Sequence, residues 1–396
     1  MITDAPPYRL IAEPTAPLIP GRRQVFTDPN FCTPLVRVTG EIDGTFNGIS
    51  YGIWSPFSCD YRTMLVQCDA LFKLVTWNPN TMDGWGEIPL PPSFQGVDAI
   101  FSHSDPALIY HRDGGSRLLA LNIDTGADSV VLDAAADFPD SPFLTRMSGT
   151  LDDRTFCFAR QTTDYGWSGF CVYRDGKVIF REPPGRAGKY FKVQIDKTGG
   201  LVWNVSLDPK SEFWDLSLPN TQTPVLGDGT GHSAVLCGAL AQYDNALNQD
   251  MLRRGGKREG QVMTIAWPDW ELATEYSGSD HDEWYAVTTG TLNPVGPLHD
   301  ELIQVATDGS GTVRRLAHLH NVMVSGDYDS IPKPACGYGS ASSPWIAFNS
   351  SWGNSGRRDV FLANALSPLF PRRGPGRRPP VRIRPRGPTA PAFREM

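Results

Sequence analysis

Residues 97–134 read VDAIFSHSDPALIYHRDGGSRLLALNIDTGADSVVLDA, and this stretch decides the fold. Four short runs of strand-forming residues follow one another: VDAIFSHS, LIYHRD, SRLLALNID and DSVVLDA. Asp, Gly, Pro and Ser stand between them, the residues that set tight turns. LNIDTGADSVV reads as a third strand, an Asp-Thr-Gly turn and a fourth strand. Long helical periodicity is nearly absent here and throughout the chain.

Working outward, the pattern repeats about every 40–50 residues, the signature of a repeat architecture. The next group has RTFCFARQ, GFCVYRDGK and VIFRE, with Asp175-Gly176 as a hairpin signal. After it come YFKVQID, LVWNVSLD, FWDLSL and TPVLGD. The group on the N-terminal side has SYGIWSPFS, TMLVQCD, LFKLVTWN and WGEIPL. A fifth group starts at Gly231 with GHSAVLCG and carries a basic insertion at Asn248–Glu259, read as an exposed loop, before QVMTIAWPDWELAT. A sixth holds EWYAVTTG, ELIQVATDGSG and TVRRLAHL. The seventh holds PKPACGYGS, PWIAFNSSWG and DVFLANA, where strand material stops.

The seventh group lacks a fourth strand, and the other end of the chain supplies one. QVFTDPNFCTPLVRVTG precedes the first full group, and LVRVTG matches the fourth strands elsewhere. The sequence therefore predicts an all-β chain: a single seven-bladed β-propeller closed by an N-terminal strand, with extended Pro-rich termini. Closure removes the open sheet edges that invite aggregation. Two separate β-sandwiches are the competing arrangement, but the repeats run on without a linker-like break. The expected boundaries are an arm at 1–23, the propeller at 24–366 and a Pro/Arg-rich tail at 367–396.

Composition fits this architecture, with 39 Gly and 34 Pro for turns and 11 Trp and 12 Tyr for pleated surfaces. The 396 residues carry a net charge of −7. The tail from Ser367 has eight Arg and one Glu, so it is +7 and the remainder is −14. An acidic body with a basic, proline-rich tail points to other protein subunits reached through the termini, or to nucleic-acid contact by the tail. No apolar run approaches the ~20 residues needed to span a bilayer. The first residues lack the basic start and apolar centre of a secretory signal, so a cytoplasmic location, or a place in a particle assembled in the cytoplasm, is expected without a signal peptide. Seven scattered cysteines without a CxxC suit buried free thiols rather than a disulfide framework or zinc knuckle.

YGIWSPFSCDYRTMLVQ (51–67) and PACGYGSASSPWIAFNSSWG (334–353) resemble the first-to-second-strand signature of WD40-like (TolB-type) propellers. TDPNFCTPLVRVTG (27–40) resembles the closing strand of the same superfamily. The resemblance covers Gln24 to Ala365 and implies the fold. One enzymatic branch of that superfamily is the oligogalacturonate lyase type. Its resemblance would imply a metal at the channel mouth, held partly by a His-x-His pair opening the last blade. The matching position here reads Ile331-Pro332-Lys333-Pro334, so that pair is not carried over. No metal and no cofactor are expected.

The first strand of each blade lines a propeller's channel. One polar residue from each candidate first strand gives Tyr51, His103, Arg146, Lys192, His232, His281 and Lys333. Six of the seven carry nitrogen bases or cations, a lining that would focus positive potential on an anion such as an acidic glycan. On a uronate, cations would neutralise the carboxylate while Tyr51, His232 or His281 removed the C5 proton and Arg146 stabilised the charge. His318 and His320 share a strand face and would need a third ligand, His281 or Asp329, to hold a metal. Trp167, Trp267, Trp270 and Trp352 fall near loops, placed to stack on sugars or to pack between blades. No G-x-S-x-G, Walker A or dinucleotide fingerprint occurs. Two functions stand at this level: a non-enzymatic binding or assembly module, and a polysaccharide lyase acting by β-elimination on uronate-containing glycans.

Overall fold

A computed structural model describes residues 1–49, 55–182, 190–206, 211–217, 229–244, 249–254, 262–266, 272–278, 283–291, 296–325, 327–337 and 345–365. They form seven antiparallel sheets. From channel to rim, blade 1 is Asn47–Gly48, Thr63–Cys68, Leu71–Asn78 and Asp83–Ile88. Blade 2 is Ile100–Phe101, Leu108–Arg112, Arg117–Asn122 and Ala127–Asp133. Blade 3 is Phe143–Gly149, Thr155–Gln161, Trp167–Arg174 and Lys177–Arg181. Blade 4 has Tyr190–Ile195, Leu201–Ser206 and Ser211–Asp215 among the described residues. Blade 5 is Gly229–Val235, Ala239–Asp244, Gln249–Arg254 and Val262–Ala266. Blade 6 is Leu272–Gly278, Trp284–Thr291, Glu301–Ala306 and Val313–His318. Blade 7 is Pro334–Cys336, Trp345–Ser350 and Asp359–Asn364.

Turn chemistry sets this order locally. In blade 2, Asn122 Oδ1 accepts the amides of Asp124 and Thr125 at 3.1 and 3.0 Å, and Gly126 takes φ +70° to reverse the chain. Asp175 and Gly176 both have positive φ, 52° and 73°, as the two-residue hairpin between Trp167–Arg174 and Lys177–Arg181 requires. Each junction between neighbouring blades is filled by its own apolar cluster. Ile100, Leu118 and Tyr110 of blade 2 meet Leu144, Phe156 and Tyr173 of blade 3. Trp345, Val360 and Leu362 of blade 7 meet Met64, Val66 and Trp77 of blade 1. The presence of this last cluster decides that the sheets form a closed ring.

The closing strand is Pro34–Arg37, which completes blade 7 by pairing with Phe361–Ala363. One carboxylate fastens it. Asp359 Oδ2 accepts from Arg37 Nε and Nη2 at 3.1 and 2.7 Å, and its Oδ1 accepts from Thr39 Oγ1 and Asn47 Nδ2 at 2.9 Å each. That single side chain joins the closing strand, blade 7 and blade 1. Arg37 and Asp359 are each 1 % exposed, a desolvated pair supported on every side by hydrogen bonds.

Two elements differ from the sequence expectation. The presumed insertion at Asn248–Glu259 contains Gln249–Arg254, the third strand of blade 5, with Met251 and Leu252 buried. Charged neighbours hide this strand from a reading by hydropathy, whereas Leu252 packs against blade 6. Thr274 and the residues around it belong to the inner strand of blade 6, not to the end of blade 5.

The N-terminal segment is engaged on the ring itself. Ile2–Asp4 adds a fifth strand to blade 6 beside Val313–Arg315, and Val25–Thr27 adds a fifth to blade 7. Between them, Tyr8 donates to Gly311 O at 2.6 Å, and Trp352 Nε1 donates to Pro17 O at 3.0 Å. Residues from 366 onward, including the basic tail, lie outside the described residues.

Candidate functional site: the channel mouth and an adjoining groove

Three of the cations expected in the channel share one electrostatic neighbourhood. Lys192, on the inner strand of blade 4, is 3 % exposed. Burial pushes its amine down to about 8, Arg146 pushes the same way, and Glu275 opposes both. Lys333 immediately precedes the inner strand of blade 7. Burial lowers it too, while Glu275 and Asp329 pull it back up. Glu275 on the inner strand of blade 6 is therefore the common counter-charge of Lys192 and Lys333, and it is itself buried. Sequence reading missed Glu275 because it assigned the start of that strand to the wrong blade.

Arg146 reaches this position through a bulge. Its φ is +55°, and the pairing register of Phe143–Gly149 shifts between Thr145 and Ser148. A bulge re-aims the side chain it carries. The Arg146 amide donates to Asp98 Oδ2 at 2.9 Å, and the same oxygen accepts from Arg112 Nη2 at 3.0 Å.

His103 has a different setting. It follows the inner strand of blade 2 and lines a small cavity with Ser148, Gln194 and Lys197. Its amide donates to Asp153 Oδ1 at 2.9 Å, and its Nδ1 lies 3.4 Å from that oxygen. Burial raises the Asp153 carboxyl, but hydrogen bonds from His103, Ser104 and Ser102 outweigh it and leave the group below its ordinary value. His103 thus ties blade 2 to the turn of blade 3. His232 lies on the inner strand of blade 5, Gly229–Val235. Tyr51 and His281 lie outside the described residues, as do Trp267 and Trp270; the described inner strand of blade 6 ends at Gly278, before His281.

His318 and His320 hold the N-terminal segment. The His318 amide donates to Asp28 Oδ2 at 2.9 Å, its Nε2 is 3.0 Å from Asn30 Nδ2, and burial pushes its imidazole down to about 4. His320 Nδ1 is 2.8 Å from Glu13, and its ring packs edge-on against Trp352. Asp329, the other suggested ligand, sits 3.6 Å from Lys333 and 3.7 Å from Arg358. Among the described residues, no group of three or more His, Cys, Asp or Glu is arranged to hold a metal. Trp352 is buried on Phe361, and Trp167 packs against the cluster between blades 3 and 4.

Asp329 also borders an open groove of about 800 Å³. Blade 1 contributes Phe46 and Asp69, the connection from blade 6 to blade 7 contributes Val322, Val324 and Asp327, and the second turn of blade 7 contributes Arg357 and Arg358. Through the Asp329–Lys333 contact this groove adjoins Lys333, which shares the Glu275 counter-charge with Lys192.

No protein-family model matches the chain, and no curated protein matches its sequence. Solved structures do match. An oligogalacturonate lyase from Vibrio parahaemolyticus superposes with a TM-score of 0.61 at 10% identity, covering 86% of this chain and 96% of that one. An oligogalacturonate lyase in complex with manganese gives 0.62 at 12%, covering 86% and 95%. A chain of a mitotic checkpoint complex gives 0.50 at 11%, covering 90% and 98%. The chain is a seven-bladed β-propeller, and oligogalacturonate lyase propellers are among its structural neighbours. At these identities the likeness is one of fold. No helix among the described residues is long and apolar enough to cross a membrane.

Proposed function

We propose that this chain is a binding or assembly module that presents the groove between blades 7 and 1 to another protein subunit. The observation that carries this reading is the groove itself: an open concavity walled by exposed Phe46 and Val324 on a rigid closed ring. Exposed apolar side chains gathered in one concavity suit an interaction site. The N-terminal segment is occupied on blades 6 and 7, and in this reading the groove and the basic 367–396 tail are the surfaces offered to partners. A photo-cross-linking residue at Val324 should give one dominant adduct in cells that make the protein, and the same residue at exposed Val130 should give none. Equal adducts at both positions would remove the reading.

A second reading is favoured by Lys192. A buried amine near 8 that feels the charge of Arg146 offers a general base and a carboxylate-neutralising cation, the pair that β-elimination on a uronate needs. The wild-type chain would then release an ultraviolet-absorbing unsaturated product from pectate, alginate or ulvan. Lys192→Met would abolish that release. Silence on all three polymers excludes the lyase reading for these substrate classes.

A further inference from the structure

We infer that the groove between blades 7 and 1 receives a partner's peptide carrying an apolar side chain flanked by Lys or Arg. This rests on the binding reading above and adds the chemistry of the occupant. Three of the twelve large apolar side chains exposed by the described residues meet in this one groove: Phe46 at 61%, Val322 at 41% and Val324 at 56%.

Phe46 is exposed but fixed. Asp69 Oδ1 accepts the amides of Thr45 and Phe46 at 3.0 and 2.8 Å. On the other side, the Asn47 amide donates to Arg358 O and the Arg358 amide to Thr45 O, each at 2.9 Å. Gly44 lets Asp69 come this close: its φ is +115°, and a Cβ there would overlap the carboxylate. An aromatic ring on an immobilised backbone loses little freedom when it binds, which suits it to anchor a contact.

The uncompensated charge of the groove is negative. Arg357 is committed to Asp359 and the Gly44 carbonyl, and Arg358 to the side chain and carbonyl of Asp329. Asp69 and Asp327 have no basic group within ion-pair distance among the described residues. Outside the tail the chain as a whole is −14, so long-range attraction and local pairing both favour a cation. A polyanion would be repelled. A purely polar ligand would leave the Phe46 and valine walls wet.

The test uses the full chain and fluorescent short peptides with alternating Leu and Arg, compared with the same peptides carrying Glu for Arg, read by anisotropy. The Leu/Arg peptide should bind and the Leu/Glu peptide should not. Phe46→Ser should weaken binding at least about tenfold. Asp327→Asn, which keeps the shape, should weaken it about threefold and flatten its salt dependence. Val130→Ser should change nothing, and matched melting curves confirm that each variant is folded. Equal binding of both peptides, or unaltered binding by Phe46→Ser, overturns the inference. A concentration-dependent dimer abolished by Phe46→Ser would assign the groove to a second copy and also overturn it. If the Val324 adduct forms while no peptide binds, the peptide chemistry falls and the binding reading stands. If neither occurs, both fall.

Discussion

Lys192 carries a proton-linkage signal that can be read without knowing any ligand. Its amine titrates near 8 in the folded chain and at the ordinary 10.5 when unfolded. Between these values the unfolded chain binds the extra proton, so stability rises with pH across the window. The contribution is complete above 10.5 and is lost as pH falls through about 8. Urea titrations of the wild type and Lys192→Met should therefore diverge by about 3 kcal/mol in favour of the wild type on going from the lower to the higher value. A constant difference would show that Lys192 is not desolvated. The cations around it were legible in the sequence because inner strands alternate and each polar position stands out. Glu275 was not legible, since one misplaced blade boundary removes a residue from the ring of candidates. The roles of His318 and His320 were hidden for another reason: their partners Asp28, Asn30 and Glu13 lie 288 or more positions away in the chain.

At the scale of elements, the closing strand depends on Asp359. Burial raises this carboxyl, but hydrogen bonds from Arg357, Asn47 and Arg37 overcome that effect and hold it below its ordinary value. A depressed carboxyl contributes its stability above the unfolded value of 3.8 and loses it as pH falls through the folded one. Acid should thus loosen blade 7 first, seen as early hydrogen exchange in Pro34–Arg37 and Asp359–Asn364. Asp359→Ala removes the buried carboxylate partner of Arg37 and leaves it only the exposed Glu41 and a carbonyl, which should cost about 3–5 kcal/mol in chemical denaturation. A loss below about 1 kcal/mol would mean that water replaces the carboxylate at little cost. The closing strand itself was visible in the sequence because LVRVTG has the form of the other fourth strands and the seventh group lacked one. Ile2–Asp4 carried no such mark, as three residues pairing across the molecule leave no local pattern. Gln249–Arg254 was concealed by its charges, which tertiary packing overrides.

For the whole molecule, ring closure assigns different tasks to the two ends of the chain. Among the described residues blade 7 has its fourth strand once Pro34–Arg37 has paired, so closure is expected without the tail. Removing residues 367–396 changes the net charge from −7 to −14 and should leave the melting temperature in place. Removing residues 1–40 takes away the closing strand and should give an aggregating chain without a cooperative transition. A large drop in melting temperature for the tail deletion would show that the tail is part of the ring. The seven-fold repeat made the architecture legible, whereas the groove was not, because it is assembled from loops of blades that are distant in sequence.

The bond from Arg37 to Asp359 spans 322 positions of the chain. A ribosome adding about 5–20 residues per second needs tens of seconds to cover that distance. Throughout this interval Pro34–Arg37 has been made with only Val25–Thr27 to pair with, and its other edge, with Leu35 and Val36 still unburied, is open to the wrong neighbour. Each nascent chain therefore carries an adhesive strand from its first seconds, and the crowding of ribosomes on one message sets how often two such strands meet.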